Sequence, residues 1–128
     1  MSAPTPNDQQ STLQDLRDVV RNFVDERDWK QFHSPKNLSM ALTIEAGELM
    51  EHFQWITTDA SRELDDQAKA DAGEELADVL CYTLAIANEL GIDVASTLHA
   101  KMKKNREKYP VEEYRGRFGK DDPNPVAP

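Results

Sequence analysis

Residues 45–55, EAGELMEHFQW, place acidic side chains among large apolar ones. On a helical projection the apolar residues around this segment form one stripe. Glu45 falls inside that stripe and Glu48 lies at its edge, whereas Glu51 points to the opposite, solvated side. A carboxylate on a packing face needs a cation or hydrogen-bond donors. The pattern therefore predicts that something positive lies against Glu45 and Glu48.

A second acidic pair lies in the segment LADVLCYTLAIA, residues 76–87, where Asp78 is the only charged residue. A helix that is apolar on nearly all sides is typically buried. Glu75 precedes Asp78 by three positions, so the two carboxylates share one helical face. If the two pairs faced each other, Glu45, Glu48, Glu75 and Asp78 would form an all-oxygen site. Such ligands suit a hard divalent cation, Mg²⁺ with Mn²⁺ as a substitute.

This spacing is also common on solvated helices, and taken singly each pair is more often solvent-exposed. The two burial arguments are independent, and together they favour a metal site. Ferritin-like di-iron sites use Glu-x-x-His on two helices, but here the third residue after Glu48 is Glu51 and the third after Glu75 is Asp78. Redox iron is therefore disfavoured. The sequence also has no G-x-x-x-x-G-K-[ST] loop and no G-x-S-x-G elbow.

Helices are the elements that would hold these residues, because no segment alternates as a strand does. Four long helices are predicted, at about 13–29, 35–56 and 70–90, and from 93 or 96 to 109, with a short polar stretch at 61–68. The expected caps and stops are Ser11 or Thr12, Ser34 before Pro35, Gly91, and Pro110. The predicted fold is all-α, of the four-helix-bundle type.

The chain of 128 residues corresponds to one domain, predicted over residues 11–115 between tails at 1–10 and 116–128. The net charge of −9 argues against non-specific binding to nucleic acid or to an anionic membrane. Cys81 is the single cysteine, so no internal disulfide is expected. No signal peptide and no apolar run of membrane-spanning length is apparent, which predicts a cytoplasmic protein.

Two further groups of residues have an ordinary and a functional interpretation. In KMKKNREKYP, Lys101, Asn105 and Lys108 lie along one side of a helix. They could contact phosphate oxygens, or simply balance the negative end of the helix dipole, which is the commoner role. Trp29 and Trp55 flank the second helix. They could be core residues, or they could stack on a nucleobase.

Three blocks, GELMEHFQW, GEELADVLCYTLAIANELGID and KMKKNREKYP, resemble the MazG-like all-α nucleoside triphosphate pyrophosphohydrolases in residues and in order. The connector WKQFHSPKNL is similar to the W-x-x-F-H-x-P-x-N-L segment of the dCTP pyrophosphatase branch of that family. Many members double the first glutamate of the acidic helix. Here Ile44 precedes Glu45, as in the dCTP branch. The resemblance covers about residues 13–112.

The resemblance implies Mg²⁺-dependent hydrolysis of a (deoxy)nucleoside triphosphate, dCTP first, to the monophosphate and pyrophosphate, as nucleotide-pool house-cleaning. It implies a homotetramer built as a dimer of dimers. The implied catalytic and metal-binding residues are Glu45, Glu48, Glu75 and Asp78. The implied base pocket is Trp29, His33, Asn37, Trp55 and Tyr82, and the implied phosphate contacts are Lys101, Asn105 and Tyr109.

Two alternatives stay open on the sequence. One is a related pyrophosphohydrolase that prefers dUTP, a modified nucleotide or many triphosphates. The other is a non-catalytic helical interaction protein, which would explain the bundle and the acidic surface but not an aspartate in an apolar helix.

Overall fold

A computed structural model describes residues 5–119 and 121–123 of the chain. Across those residues every regular element is helical and no strand occurs, as the sequence predicts. The chain divides into two compact units, Met1–Ile92 and Asp93–Pro128. The domain limits at residues 11 and 115 stay a prediction. Of the two predicted tails, residues 1–4, 120 and 124–128 lie outside the described residues.

The first unit contains the helices α1 (Leu13–Glu26), α2 (Pro35–Glu51), α3 (Thr58–Ser61) and α4 (Asp66–Leu90). The second contains α5 (Val94–Lys108) and α6 (Val111–Tyr114). All four predicted long helices are present, as α1, α2, α4 and α5. None of the described helices is by itself long and apolar enough to cross a membrane; α4 and α5 pass that test of length and composition only when counted together across their break.

Local side-chain chemistry explains where the helices begin and end. The Thr12 hydroxyl accepts from the Asp15 N–H, and the Asp15 carboxylate accepts from the Thr12 N–H, which makes a capping box for α1. The Ser34 hydroxyl accepts from the Asn37 N–H at 3.1 Å and so caps α2. Gly91 ends α4 at φ 64°, a left-handed conformation that glycine adopts at low cost. These caps agree with the sequence-based expectations.

Two helices are shorter than predicted. The first ends at Glu26 rather than near residue 29, because Asp28 turns the backbone into the left-handed region at φ 53°. A 3₁₀ turn, Lys30–Phe32, follows. The second ends at Glu51 rather than near residue 56, and residues 52–55 form turns closed by backbone bonds such as Phe53 N–H to Met50 O. Both changes put aromatic residues into connectors.

The core of the first unit forms where α4 packs against α2 and, less extensively, against α1. The buried apolar side chains are Val24 of α1, Leu38 of α2, and Ala72, Leu84, Ala85 and Ala87 of α4. The small alanines of α4 let neighbouring helices approach closely. The acid-bearing segments of α2 and α4 are therefore on helices that pack directly on each other.

Residues 76–87 are apolar on nearly every side, but the single chain leaves part of this segment uncovered. Leu76 is 58% exposed and Leu80 is 44% exposed, and Asp78 is exposed as well. The physical reason is that the main packing on α4 within the first unit comes from two helices, α2 and α1, which cover part of its circumference. The apolar composition of α4 thus exceeds what its own unit buries.

Candidate metal centre and adjoining pocket

Three carboxylates meet between α2 and α4. Glu45, Glu48 and Glu75 each offer one oxygen, and these oxygens all lie within 4.8 Å of one another. Glu45 and Glu48 are neighbours one turn apart on α2, and Glu75 comes from α4. Like charges at such short range repel, and the arrangement is favourable only with protons or a cation between them.

Two of these carboxylates have an oxygen that lacks a partner. Glu45 Oε2 and Glu75 Oε2 are buried and make no hydrogen bond within the part of the chain that the structure describes. A buried polar atom left unpaired is costly, so such atoms usually have an unseen partner. Carboxylate oxygens grouped in this way are the ligands that hard divalent cations prefer. The residues present therefore fit a divalent metal ion.

The surroundings of the cluster shift its protonation. Burial raises the pKa of Glu45 from 4.5 to about 7, and hydrogen bonding to Glu48 and the charges of Glu48 and Asp78 act in the same direction. Burial also raises the pKa of Glu75, followed by hydrogen bonding to Glu48 and its charge. In the metal-free protein, bound protons thus reduce the repulsion between these carboxylates, as a cation would do.

Asp78 lies beside the cluster rather than within the group of three close oxygens. It is exposed, and its negative charge contributes to the raised pKa of Glu45. It also lines a pocket that opens next to the carboxylates. Asp78 therefore stands at the border between the acidic cluster and this pocket.

The pocket has a volume of about 420 Å³ and is mostly apolar. Three of the five predicted base-pocket residues, Trp29, His33 and Tyr82, line it. Burial raises the pKa of Tyr82, with the charge of Glu45 next, so its hydroxyl stays protonated and can donate a hydrogen bond. Pockets of this kind, apolar with a few polar groups, are typical of small-molecule sites.

The aromatic wall of the pocket is built by contacts between the end of α1 and the α1–α2 connector. The Phe23 and Trp29 rings meet edge to face, with centroids 5.7 Å apart and an interplanar angle of 76°. The Arg27 guanidinium lies over the Phe23 ring, 3.8 Å from its centroid. Trp29 and His33 flank the Lys30–Phe32 turn, with ring centroids 6.2 Å apart. The turn thereby sets the spacing of two predicted base contacts.

Several pocket residues were not predicted from the sequence. They are Val19, Val20, Phe23 and Val24 of α1, and Cys81 and Ala85 of α4. The apolar spacing of α1 was a detectable signal, but it predicts an ordinary core face equally well. Cys81 and Ala85 are three and seven residues after Asp78, which places them along the same helical face.

Asn37 and Trp55 are not among the residues that line this pocket. The Asn37 side-chain amide donates to the Phe32 carbonyl at 3.1 Å and so braces the connector. Trp55 lies in the turn after α2 and is 87% exposed. Within the single chain, neither residue joins Trp29, His33 and Tyr82, and their roles at the base stay a prediction.

The predicted phosphate contacts lie on or directly after α5, in the second unit. Lys101, Asn105 and Tyr109 follow one another at intervals of four residues. Lys101 is exposed, and the Asn105 amide lies 3.6 Å from the Met102 sulfur. The Tyr109 ring packs edge-on against Tyr114, with centroids 5.2 Å apart. Their contact with phosphate stays a prediction.

Comparison with known proteins gives consistent matches. The model of the MazG-like family matches residues 40–118. The chain is 43% identical over 107 residues to dCTP pyrophosphatase 1 of Mus musculus. This alignment covers 82% of this chain and 63% of the mouse protein. It is 42% identical over 102 residues to dCTP pyrophosphatase 1 of Homo sapiens. This alignment covers 78% of this chain and 60% of the human protein. The chain thus spans less than two thirds of the length of these curated relatives.

A solved structure is also similar. The crystal structure of a pyrophosphatase from Archaeoglobus fulgidus DSM 4304 matches with a TM-score of 0.72 and 35% sequence identity. The match covers 85% of this chain and 99% of that one.

Proposed function

The chain belongs to the MazG-like family, and from that membership we propose that it hydrolyses a nucleoside triphosphate, dCTP first, to the monophosphate and pyrophosphate. The observation that carries the proposal is the acidic cluster of Glu45, Glu48 and Glu75, whose oxygens lie within 4.8 Å of one another. The position of this cluster beside a pocket lined by aromatic residues suits a substrate with a negatively charged end and an aromatic end. The similarity to proteins named dCTP pyrophosphatase 1 supports the choice of base.

The acidic cluster would hold the cofactor. Glu45, Glu48, Glu75 and Asp78 are the proposed ligands of Mg²⁺, which Mn²⁺ could replace. A divalent cation, when bound, neutralises triphosphate charge and stabilises the charge that develops as the phosphorus–oxygen bond breaks. The unpaired buried oxygens of Glu45 and Glu75 support this assignment.

The remaining residues would orient the substrate. Trp29 offers an aromatic face to the base, and His33 and Tyr82 offer polar atoms within the same pocket. Lys101, Asn105 and Tyr109 would contact the phosphates. A base held in the pocket would place its triphosphate toward Asp78 and the cluster, so that binding of the base orients the reacting phosphate.

The proposal includes a homotetramer arranged as a dimer of dimers. Its support in the single chain is the exposed apolar surface of α2 and α4, where Ile44 and Leu76 are more than half exposed. The non-catalytic alternative does not explain why Glu45 and Glu75 each have a buried oxygen without a hydrogen-bond partner among the described residues.

The test is a substrate panel with detection of released pyrophosphate. We expect kcat/KM to be highest for dCTP, with Mg²⁺ required and EDTA abolishing turnover. One well-placed polar contact corresponds to a preference over dTTP and dUTP of roughly ten- to a hundredfold. Equal rates on dCTP, dTTP, dUTP and dATP would leave a general pyrophosphohydrolase. No pyrophosphate from any of them, with no thermal stabilisation by Mg²⁺ and nucleotide, would leave the interaction protein.

A further inference from the structure

A second, smaller cavity adjoins the aromatic pocket. The two cavities share the lining residues Val20, Val24, His33 and Ala85, so they lie next to each other. The second cavity has a volume of about 110 Å³. One water molecule needs only about 10–15 Å³ of such space, so the cavity admits several waters or small polar groups. It is suited to the edge of a molecule whose body lies in the aromatic pocket.

The polar residues of this second cavity are Arg21, Asp25, Lys30, Asn88 and Glu89. Two of them are already engaged. Asn88 Oδ1 accepts from Arg17 Nε at 3.0 Å and from Arg21 at 3.3 Å. The Asn88 side-chain NH₂ donates to the Arg17 backbone carbonyl at 3.2 Å. Arg21 also pairs with Asp18 at 3.0 Å. These groups hold the cavity's shape and have little capacity left for a ligand.

Unlike Arg21 and Asn88, the carboxylates of Asp25 and Glu89 have neither a hydrogen bond nor an ion pair within residues 5–119 and 121–123. Glu89 is half-buried, whereas Asp25 and Lys30 are exposed. Between the two cavities, His33 Nδ1 is buried and also has no hydrogen-bond partner among the described residues. A half-buried acceptor and an unpaired buried nitrogen thus face the same small space.

We propose that Glu89 is a specificity-determining residue that accepts a hydrogen bond from an exocyclic amine of the base, with His33 Nδ1 as the second contact and Asp25 as a weaker one. This inference rests on the proposed function, since it takes the aromatic pocket as the base site. A carboxylate accepts from the amine of cytosine, whereas the carbonyl of uracil at the same position has no proton to give it. The cavity therefore selects an amino base over a keto base.

The decisive comparison is dCTP against dUTP, whose bases differ at this edge. We expect Glu89→Gln to lower the ratio of their kcat/KM values about tenfold, because an amide can turn either its oxygen or its NH₂ toward the base and so accepts both. Asp25→Asn should lower the ratio less.

Glu74→Gln is the matched control, because it makes the same change on the same helix at an exposed residue that lines neither cavity. Its ratio should equal that of the wild type. Calorimetric binding of dCMP and dUMP without metal measures the same preference without turnover. If the wild-type protein hydrolyses no triphosphate, the proposed function fails, and the binding preference still decides this inference. A wild type that binds the two alike, or an unchanged preference in Glu89→Gln, would overturn it.

Discussion

At the scale of single residues, two features of the acidic cluster have the same physical cause, which is burial. Glu45 and Glu75 each keep an oxygen buried without a hydrogen bond, and each has a raised pKa. A carboxylate that only stabilises the fold would be paired with donors or would face water. The unpaired oxygens of these two residues are instead free to bind a cation.

Asp78→Asn should abolish turnover and leave the fold intact. The change removes a negative charge beside the cluster and keeps the side-chain shape. Because the charge of Asp78 helps to raise the pKa of Glu45, its removal also relieves repulsion in the metal-free protein. The melting temperature without metal should therefore stay level or rise. Near wild-type rates in the variant would contradict the ligand assignment, and Glu51→Gln, at an exposed position, should be almost silent.

The stability of the metal-free protein should fall as the pH rises from 4.5 to about 7. The folded protein holds the Glu45 proton more tightly than the unfolded chain does, since the pKa is about 7 against 4.5. The stabilisation from that proton is complete below the unfolded value and is lost as the pH passes through the folded value. Differential scanning calorimetry across this range measures it.

Glu45→Gln should flatten this decline, because an amide has no proton to lose in this range. Saturating Mg²⁺ should oppose it as well, since the cation binds the deprotonated form. A wild-type curve with the same slope as that of Glu45→Gln would show that Glu45 titrates as it does in the unfolded chain.

At the scale of elements, the site depends on where helices begin and end. The Ser34 cap starts α2 directly after His33, and the Asn37 side chain ties the start of α2 to the preceding turn. The early end of α1 at Glu26 lets the chain form the Lys30–Phe32 turn that carries Trp29 and His33 at its ends. Helix termini thus place the aromatic wall, and helix interiors place the carboxylates.

Replacing either of two glycines of the α4 region by alanine should change the stability of the protein, in opposite directions. Gly91→Ala should destabilise the protein by about 1 kcal/mol, because a Cβ disfavours φ 64° at the end of α4. Gly73→Ala should stabilise it by about 0.5–1 kcal/mol, since Gly73 is inside α4 and an added Cβ meets no atom within 4 Å. Urea denaturation measures both. Shifts of the same sign would contradict the helix end at Gly91.

At the scale of the whole molecule, the single chain leaves a large amount of apolar surface uncovered. Met40 and Ile44 of α2 and Leu76 of α4 are more than half exposed, and Leu80 is nearly so. These residues lie on the two helices that bear the acidic cluster. Monomeric soluble proteins rarely expose contiguous apolar patches of large size. A second copy of the chain is the partner that the tetramer proposal supplies.

Light scattering at micromolar concentration should therefore give a mass well above the 14.5 kDa of one chain. Ile44→Glu combined with Leu80→Glu should reduce that mass, because burying two carboxylates at an apolar interface is costly. A wild-type mass of one chain would rule out the oligomer. Circular dichroism of the double variant checks that the helices persist.

Local patterns in the sequence were sufficient to determine the helical class and the caps at Thr12, Ser34 and Gly91, and to place Glu45 and Glu48 one turn apart on the same helix. Each of these depends on residues within a few turns of one helix, or on helices whose apolar faces must pack together. Periodicity encodes such relations directly. The same reasoning failed at the helix ends near residues 29 and 56, where a left-handed aspartate and a series of turns interrupted the pattern.

Only the tertiary structure decided how α1 contributes to the site. Phe23 and Val20 read as core residues in the sequence, but the packing of α1 on α4 brings them to the same pocket as Tyr82 and Cys81. The tertiary structure also leaves Asp78 and Trp55 exposed. The identity of these neighbours depends on helix order and crossing geometry, and an amphipathic period carries no information about which helix will cover a given face.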